Sequence, residues 1–244
     1  MSFLIQLFRL AIHRRKDKED YFRFQKLQAS HVIATLKEIL GLDSNISIID
    51  FGCGRGGYSY ILAKEFKEVV AVDFFCDPVR KNFAGMNNIR FETGDLVTYR
   101  GKRKDLLFCA SVIEHIPKEK QFVFIQNIKE NIEPGGYLYL SFPPFKSIIG
   151  GHACSPFHYF PDKISFYLTK KIKKRAISSY ETMYGNWGVC KTGIKEVERL
   201  LRENEFEIIQ IRARYMPLWY SKWFNKNEYL NWHVEFFCRK GGEG

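Results

Sequence analysis

Residues 48–59 read "IIDFGCGRGGYS". An apolar run closes on an acid, Asp50, and glycines follow at Gly52, Gly54, Gly56 and Gly57. Glycine tolerates left-handed backbone and carries no Cβ. This spacing therefore predicts a tight turn from a strand into a helix, where the main chain must come close to a ligand. The carboxylate at the strand's end then decides which ligands the turn accepts.

Outward from this turn, seven strand-like runs stand out: "ISIID", "EVVAVDF", "IRFET", "DLLFCAS", "GYLYLSF", "FEIIQIRAR" and "HVEFFCRK". They are β-branched and aromatic, and most are bounded by Gly, Asp or Pro. Helical patterns cover residues 57–66, 77–84 and 117–131. Near-continuous apolar strands alternating with helices predict a parallel sheet covered on both faces. The last two runs are separated by "YMPLWYSKWFNKNEYLNW", which shows no clear crossover helix, so one antiparallel strand is expected. Residues 19–41 read as a helix, with Phe24, Leu27, Val32, Ile33, Leu36, Ile39 and Leu40 near one face and Gly41 at its end. The expected fold is α/β: a Rossmann-like, seven-stranded, mostly parallel sheet with one antiparallel strand and helices on both faces. It would occupy residues 1–244 as one domain, with an N-terminal helical region over 1–41. Residues 143–190 break the alternation with Pro, Gly, His, aromatics and a basic run. Ligands of open α/β sheets bind outside the carboxyl ends of the strands, so this insertion is expected to be a substrate lid.

A hydrophobic fraction of 45 % supports a folded core rather than a disordered chain. The formal charge of +11 suits an anionic partner such as RNA, an anionic membrane or a phosphate-bearing substrate, and equally a Lys-rich solvated surface. The cysteines are far apart, form no CxxC pair and fall partly in apolar runs, which suits reduced, intracellular thiols. No run approaches the roughly 20 apolar residues that span a bilayer. The opening "MSFLIQLFRLAIHRRK" lacks a basic start and a small-residue cleavage site, so it does not read as a signal peptide. The expected location is the cytoplasm, with peripheral contact at the inner membrane surface.

Two cofactor classes compete for the glycine turn. Gly52, Gly54 and Gly57 match the G-x-G-x-x-G dinucleotide pattern, in which Asp73 would hold ribose hydroxyls. A pyrophosphate there needs backbone N–H donors and no nearby anion, and Asp50 is such an anion. S-adenosylmethionine has no phosphate and carries an ammonium and a sulfonium, which a carboxylate stabilises. Asp50 therefore favours the sulfonium cofactor.

"DFGCGRGG", the acid of "VVAVDFF", "GDL", "FCASVIEHIP" and "EPGGYLYLSFPP" together resemble, in order and spacing, the class I S-adenosylmethionine-dependent methyltransferases. The resemblance covers roughly residues 46–145 well and the last strands loosely. It implies that Asp50, Gly52, Cys53, Gly54 and Gly56 form the loop around the methionine part of the cofactor. Asp73 would hold both ribose hydroxyls, Phe74 would lie alongside the adenine, Asp95 and Leu96 would flank it, and Ser111 would close the site. "SFPPF…GGH…PFHYF" resembles a subset of these enzymes in glycan and lipid-linked saccharide pathways. That implies a small-molecule acceptor, a hydroxyl of a saccharide or lipid-linked intermediate.

A hydroxyl acceptor benefits from a base. His152 and His158, in the proposed lid, are the candidates. His115 is a third, for which a place in the cofactor-site frame is preferred, and its neighbour Glu114 reads as structural. His152, Cys154 and His158 match no established zinc spacing and have no fourth donor nearby in sequence, so no metal is expected. The Asn/Asp-Pro-Pro-aromatic motif of methyltransferases acting on RNA nitrogens is missing after the fourth strand, where "ASVIEH" stands. "DKISFYLTKKIKKR", with Ile164, Leu168 and Ile172 at helical spacing, reads as a basic amphipathic helix. With Trp219, Trp223 and Trp232 it suits a core or subunit interface, an anionic membrane surface or, less well, nucleic acid. The rivals to a small-molecule methyltransferase are an RNA methyltransferase, an NAD-dependent oxidoreductase and a non-catalytic S-adenosylmethionine-binding regulator.

Overall fold

In a computed structural model, which describes residues 18–76, 78–172 and 188–241, the apolar half of the opening stretch forms β1 (Ser47–Phe51). Residues 48–51 are all buried. Strand β1 is flanked in parallel by β2 (Glu68–Asp73) and β4 (Lys104–Ala110), with Ile49 opposite both Val70 and Leu107. A strand with neighbours on both sides and covered on both faces has no polar face, which is why β1, β2 and β4 read as continuous apolar runs. The partner of β2 on its other side is β3 (Ile89–Thr93), whose burial is broken and whose Arg90 forms ion pairs with Glu68 and Glu92.

With β5 (Ile132–Phe142), β6 (Phe206–Ala213) and β7 (Val234–Lys240), the seven-stranded sheet has the order β3-β2-β1-β4-β5-β7-β6. Strands β6 and β7 pair antiparallel, with an irregularity between Ile208 and Gln210. The expected sheet is thus the observed one. The order turns at β1, with β2 and β3 on one side and β4 on the other, so the carboxyl end of β1 is a topological switch point.

Helix α1 (Lys18–Leu40) buries Phe22, Phe24, Ala29, Val32, Ile33, Leu36 and Leu40. Its neighbour α2 (Gly57–Glu65) begins at the last glycine of the turn. The Gly57 N–H donates to Gln25 Oε1 at 3.3 Å, so a side chain of α1 satisfies one of the orphan amides at the start of α2. Below them Phe108 stacks on Tyr139 at 4.7 Å and meets Tyr58 at 5.2 Å. The chain also contains α3 (Lys118–Glu130), α4 (Asp162–Ile172), α5 (Ile194–Glu203) and α6 (Leu218–Phe224).

Two local expectations change. The helical pattern at 77–84 is a single 3-10 turn, Arg80–Phe83, hemmed between Pro78 and Gly85, whose φ is 81°. Between β6 and β7 there is a short helix after all, α6. Its Trp219 and Trp223 face solvent at 65 % and 76 % exposure, which removed the apolar periodicity that betrays a packed helix.

By its contacts the chain divides into two compact units. One comprises Met1–Cys109, Asn127–Tyr139 and Gly242–Gly244, the other Ala110–Gln126 and Leu140–Gly241. The N-terminal apolar and basic stretch 1–16 and the end of the basic run, Lys173, Lys174 and Arg175, lie outside the described residues.

A Cβ added at Gly57 would meet Gln25 Cβ at 2.4 Å and the Phe22 carbonyl oxygen at 2.8 Å. The backbone atom cannot yield as a side-chain end does, so Gly57→Ala is expected to lower unfolding stability by about 1–3 kcal/mol. Denaturant melts of the two chains measure this, and equal midpoints would contradict the docking of α1 on α2.

Candidate functional site

Gly52, Gly54 and Gly56 all adopt left-handed backbone, with φ of 85°, 53° and 84°. An L side chain rarely tolerates this conformation, which accounts for the glycine spacing. The Gly52 and Cys53 amides both donate to the Val72 carbonyl, at 2.8 and 3.2 Å. The next glycine is tied to the same strand: Gly54 N–H donates to Asp73 Oδ2 at 2.8 Å, while Phe75 N–H donates to Oδ1 at 3.1 Å. Asp73 is therefore held rigidly at the end of β2. An ionised carboxylate offers about four acceptor positions, so two backbone donors leave capacity for hydroxyl donors of a ligand.

Asp50 is only 2 % exposed and accepts a hydrogen bond from Ser59 Oγ at 2.6 Å. Burial pushes its carboxyl up to about 7, against the Ser59 hydrogen bond, and the negative charge of Asp73 adds to the rise. The loop thus gathers two carboxylates that repel one another. A pyrophosphate would deepen that repulsion, whereas a cation relieves it. The Cys53 thiol lies 3.9 Å from Cys76, and this contact together with burial pushes its ionisation up, so it stays protonated.

Gly94 N–H donates to the Asp73 carbonyl at 3.1 Å and brings the end of β3 alongside. There the exposed Asp95 accepts from Val97 N–H at 2.9 Å, and the carbonyl of the buried Leu96 accepts from Asn127 at 2.7 Å. Phe74 and Phe75, 43 % and 68 % exposed, present two rings edge to face at the end of β2. The structure thus brings together Asp50, Gly52, Cys53, Gly54, Gly56, Asp73 and Phe74, with the Asp95–Leu96 turn beside them.

The other predicted residues belong to the second unit. Ser111 follows β4 with φ of 59°, and its N–H donates to Ser141 O at 2.7 Å. His115 ends the 3-10 turn Ile113–His115, with Nδ1 2.9 Å from Gly188 O, and its ring meets His152 edge to face at 5.1 Å. His152 has φ of 47° and places Nε2 3.6 Å from Glu114 Oε1. His158 lies elsewhere, 4 % exposed, with Nε2 3.0 Å from Ser147 O and its ring against Tyr159. It helps line a cavity of about 300 Å³ together with Phe145, Lys146, Tyr159, Lys191 and Tyr229. Of the donors weighed together for a metal, Cys154 is buried and only His152 joins a close set, with Glu114 and His115, whose donor atoms lie within 4.8 Å of one another.

Sequence reasoning missed the ionised groups behind this set. Arg214, at the end of β6, is 1 % exposed and pairs with the buried Glu235 of β7 at 3.1 Å. The signal was present, since a charged residue inside an apolar strand run demands a buried partner. Glu114 is 1 % exposed, and burial pushes its carboxyl up to about 7, against the favourable charges of His115 and Arg214. His233 is held well below the usual imidazole range by burial and by Arg214 and His152.

A family model described as a methyltransferase domain matches residues 21–211. The chain belongs to this methyltransferase-domain family. Its cofactor is S-adenosylmethionine, which the cationic preference of the Asp50–Asp73 loop fits. Among curated relatives, a ubiquinone biosynthesis O-methyltransferase of Coxiella burnetii is 34 % identical over 100 residues, 38 % of this chain and 42 % of the relative. The protein of the same name from Rickettsia prowazekii is 27 % identical over 126 residues, 49 % and 48 % of the two chains. The chain thus spans less than half the length of these two relatives. Magnesium protoporphyrin IX methyltransferase from Synechocystis PCC 6803, with bound S-adenosylhomocysteine, superposes with a TM-score of 0.59 at 18 % identity, over 88 % of this chain and 83 % of that one. The [4+2]-cyclase SpnF superposes with a TM-score of 0.56 at 12 % identity, over 86 % and 80 %. At such identities the likeness is one of fold.

The raised ionisation of Asp50 gives a pH dependence with a definite sign. Below about pH 7 the carboxyl holds its proton, and a cationic ligand that prefers the carboxylate must displace it. Affinity for S-adenosylmethionine is therefore expected to rise with pH, by up to about tenfold per unit below 7, and to level off above. In Asp50→Asn it should be weaker and flat across that range. Calorimetry at several pH values tests this, and a wild-type affinity independent of pH would contradict the assignment.

Proposed function

We propose that this methyltransferase-domain protein moves the methyl group of S-adenosylmethionine to a hydroxyl oxygen of a small molecule, a saccharide or lipid-linked intermediate. The observation that carries the reading is the glycine loop at the switch point, pinned to β2 and lined by Asp50 and Asp73. Asp50 would face the cationic methionine part, Asp73 the ribose hydroxyls, and Phe74, Asp95 and Leu96 the adenine. When bound, S-adenosylmethionine supplies an electrophilic methyl group. The chain's own task is to align the acceptor and deal with its proton.

Oxygen as the acceptor atom is supported by the relatives, named as O-methyltransferases, and by the His152–Glu114 pair, which suits proton removal. The aromatic cavity beside His158, inside the expected lid, is a suitable place for the acceptor. The saccharide or lipid-linked class rests on the resemblance of "SFPPF…GGH…PFHYF". SpnF shares the fold under the name of a cyclase, so methyl transfer here has to be tested directly.

Peripheral contact with an anionic membrane is a second proposal. Helix α4 buries Ser165 and Thr169 and turns Ile164, Tyr167 and Ile172 outward beside Lys170 and Lys171, while α6 exposes Trp219 and Trp223. No helix among the described residues is long and apolar enough to cross a membrane. Aromatics interleaved with lysines suit a headgroup layer.

Incubation with methyl-labelled S-adenosylmethionine and host extract, fractionated into RNA, protein, and lipid plus glycan, tests the acceptor. Label in the lipid and glycan fraction is expected. Label released by RNase would move the acceptor to RNA, and cofactor binding without any label would make the chain a non-catalytic binder.

A further inference from the structure

Within the second unit, a buried acid lies against two histidines, His115 and His152. Glu114 is 1 % exposed, and neither carboxyl oxygen accepts a hydrogen bond from the described residues. A carboxyl kept in the interior for packing alone costs stability unless donors compensate it. The nearby guanidinium does not serve, because Arg214 is bound by Glu235 at 3.1 Å and by Ser141 Oγ. Glu114 faces His115, whose charge acts on it, and His152, whose Nε2 lies 3.6 Å from Oε1.

His152 is held for this encounter. Its φ of 47° is left-handed, a conformation that persists in a non-glycine residue only where the surroundings enforce it. The enforcement is visible: His152 N–H donates to Ile149 O at 2.9 Å, and the following turn closes with Cys154 N–H on Gly151 O at 2.7 Å. The His115 ring, fixed by Nδ1 against Gly188 O, stands at 84° to the His152 ring and sets its plane. The His152 side chain is 28 % exposed, so the pair joins a buried acid to a ring that reaches the surface.

We propose that Glu114 is the positioning residue for His152, which takes the proton of the acceptor hydroxyl; this rests on the O-methyl transfer proposed above. At 3.6 Å, ion-pair reach rather than a hydrogen bond, the Glu114 carboxylate favours a proton on Nε2 of His152 and so leaves Nδ1 as the basic nitrogen. The hydroxyl proton passes to Nδ1, and the electron pair of the broken O–H bond stays on the acceptor oxygen. That oxygen supplies the pair for the new bond to the methyl carbon, while sulfur keeps the pair of the bond that breaks. The positive charge leaves sulfur and reappears as imidazolium, which the Glu114 carboxylate stabilises. The groups whose charges act on the pair or are acted on by it are His115, Cys190, Arg214, which pairs with Glu235, and His233. Burial pushes Glu114 up to about 7, so the acid itself exchanges a proton near neutral pH.

The test uses the full chain with labelled histidine, following the His152 ring by NMR in wild type and in Glu114→Gln. Removing the carboxylate removes the charge that favours imidazolium, so the His152 midpoint is expected to fall by about one pH unit or more. An unchanged midpoint would overturn the pairing, whether or not the chain methylates anything. Where methyl transfer is established, E114Q should lower kcat by about tenfold or more and move its acidic limb to lower pH, with KM for S-adenosylmethionine unchanged. Glu114→Asp, which keeps the charge, should recover part of the loss. If E114Q does not fold, His152→Gln must lower kcat by about a hundredfold without altering that KM; a loss of less than about threefold overturns the proposal. Activity abolished by a chelator and restored by a divalent cation would overturn it in favour of a metal held by the same side chains. A wild type that methylates no acceptor removes the functional reading, while the NMR midpoint still decides the pair.

Discussion

Hydrogen bonds tie the glycine loop to the end of β2, and every part of the proposed cofactor site follows from them. The Val72 carbonyl receives two consecutive amides, from Gly52 and Cys53, and the next glycine donates to Asp73. A chain that turns back over the neighbouring strand so tightly must pass through left-handed backbone, hence Gly52, Gly54 and Gly56. The same turn delivers Gly57 to the start of α2, where Gln25 of α1 meets its amide. Loop, ribose acid and N-terminal helix are therefore one construction, and the helix preceding the sheet is part of the site's support.

Electrostatics gives that construction its preference. Asp50 is buried beside Asp73 and accepts a hydrogen bond from the Ser59 hydroxyl, a costly arrangement for a carboxylate. A cationic ligand relieves this cost, and that energy contributes to binding. Glu114 shows the same physics put to another use. Its burial raises its carboxyl to about 7, and in the proposed role that proton is exchanged beside His152 rather than awaiting a cationic cofactor. Arg214 and Glu235, both buried, pair with one another at 3.1 Å.

Elements built from hydrophobic pattern were legible in the sequence. "IRFET" is β3 residue for residue, and β1 shifts by one position from its expected bounds. The glycine loop was legible too, because left-handed backbone limits residue choice so severely. What escaped detection had a physical reason. Helix α6 hid because Trp219 and Trp223 point to solvent, and the stretch at 77–84 lost its helix to Pro78 and Gly85. Glu114 reads as structural because a sequence shows adjacency; the role proposed for it depends on His152, 38 positions away and brought beside it by the fold. His152 and His158 looked equivalent in one short loop. Folding separates them, one against a buried acid and the other packed beneath Tyr159.

Family membership and sheet topology do not by themselves dictate which anion or cation the loop prefers, since glycine turns at switch points also hold dinucleotides. The choice rests on Asp50. Calorimetry of the purified chain with S-adenosylhomocysteine and, separately, with NAD decides it most directly. The account predicts one saturable site for S-adenosylhomocysteine and no measurable heat with NAD. Saturable NAD binding, with none for S-adenosylhomocysteine, would contradict it.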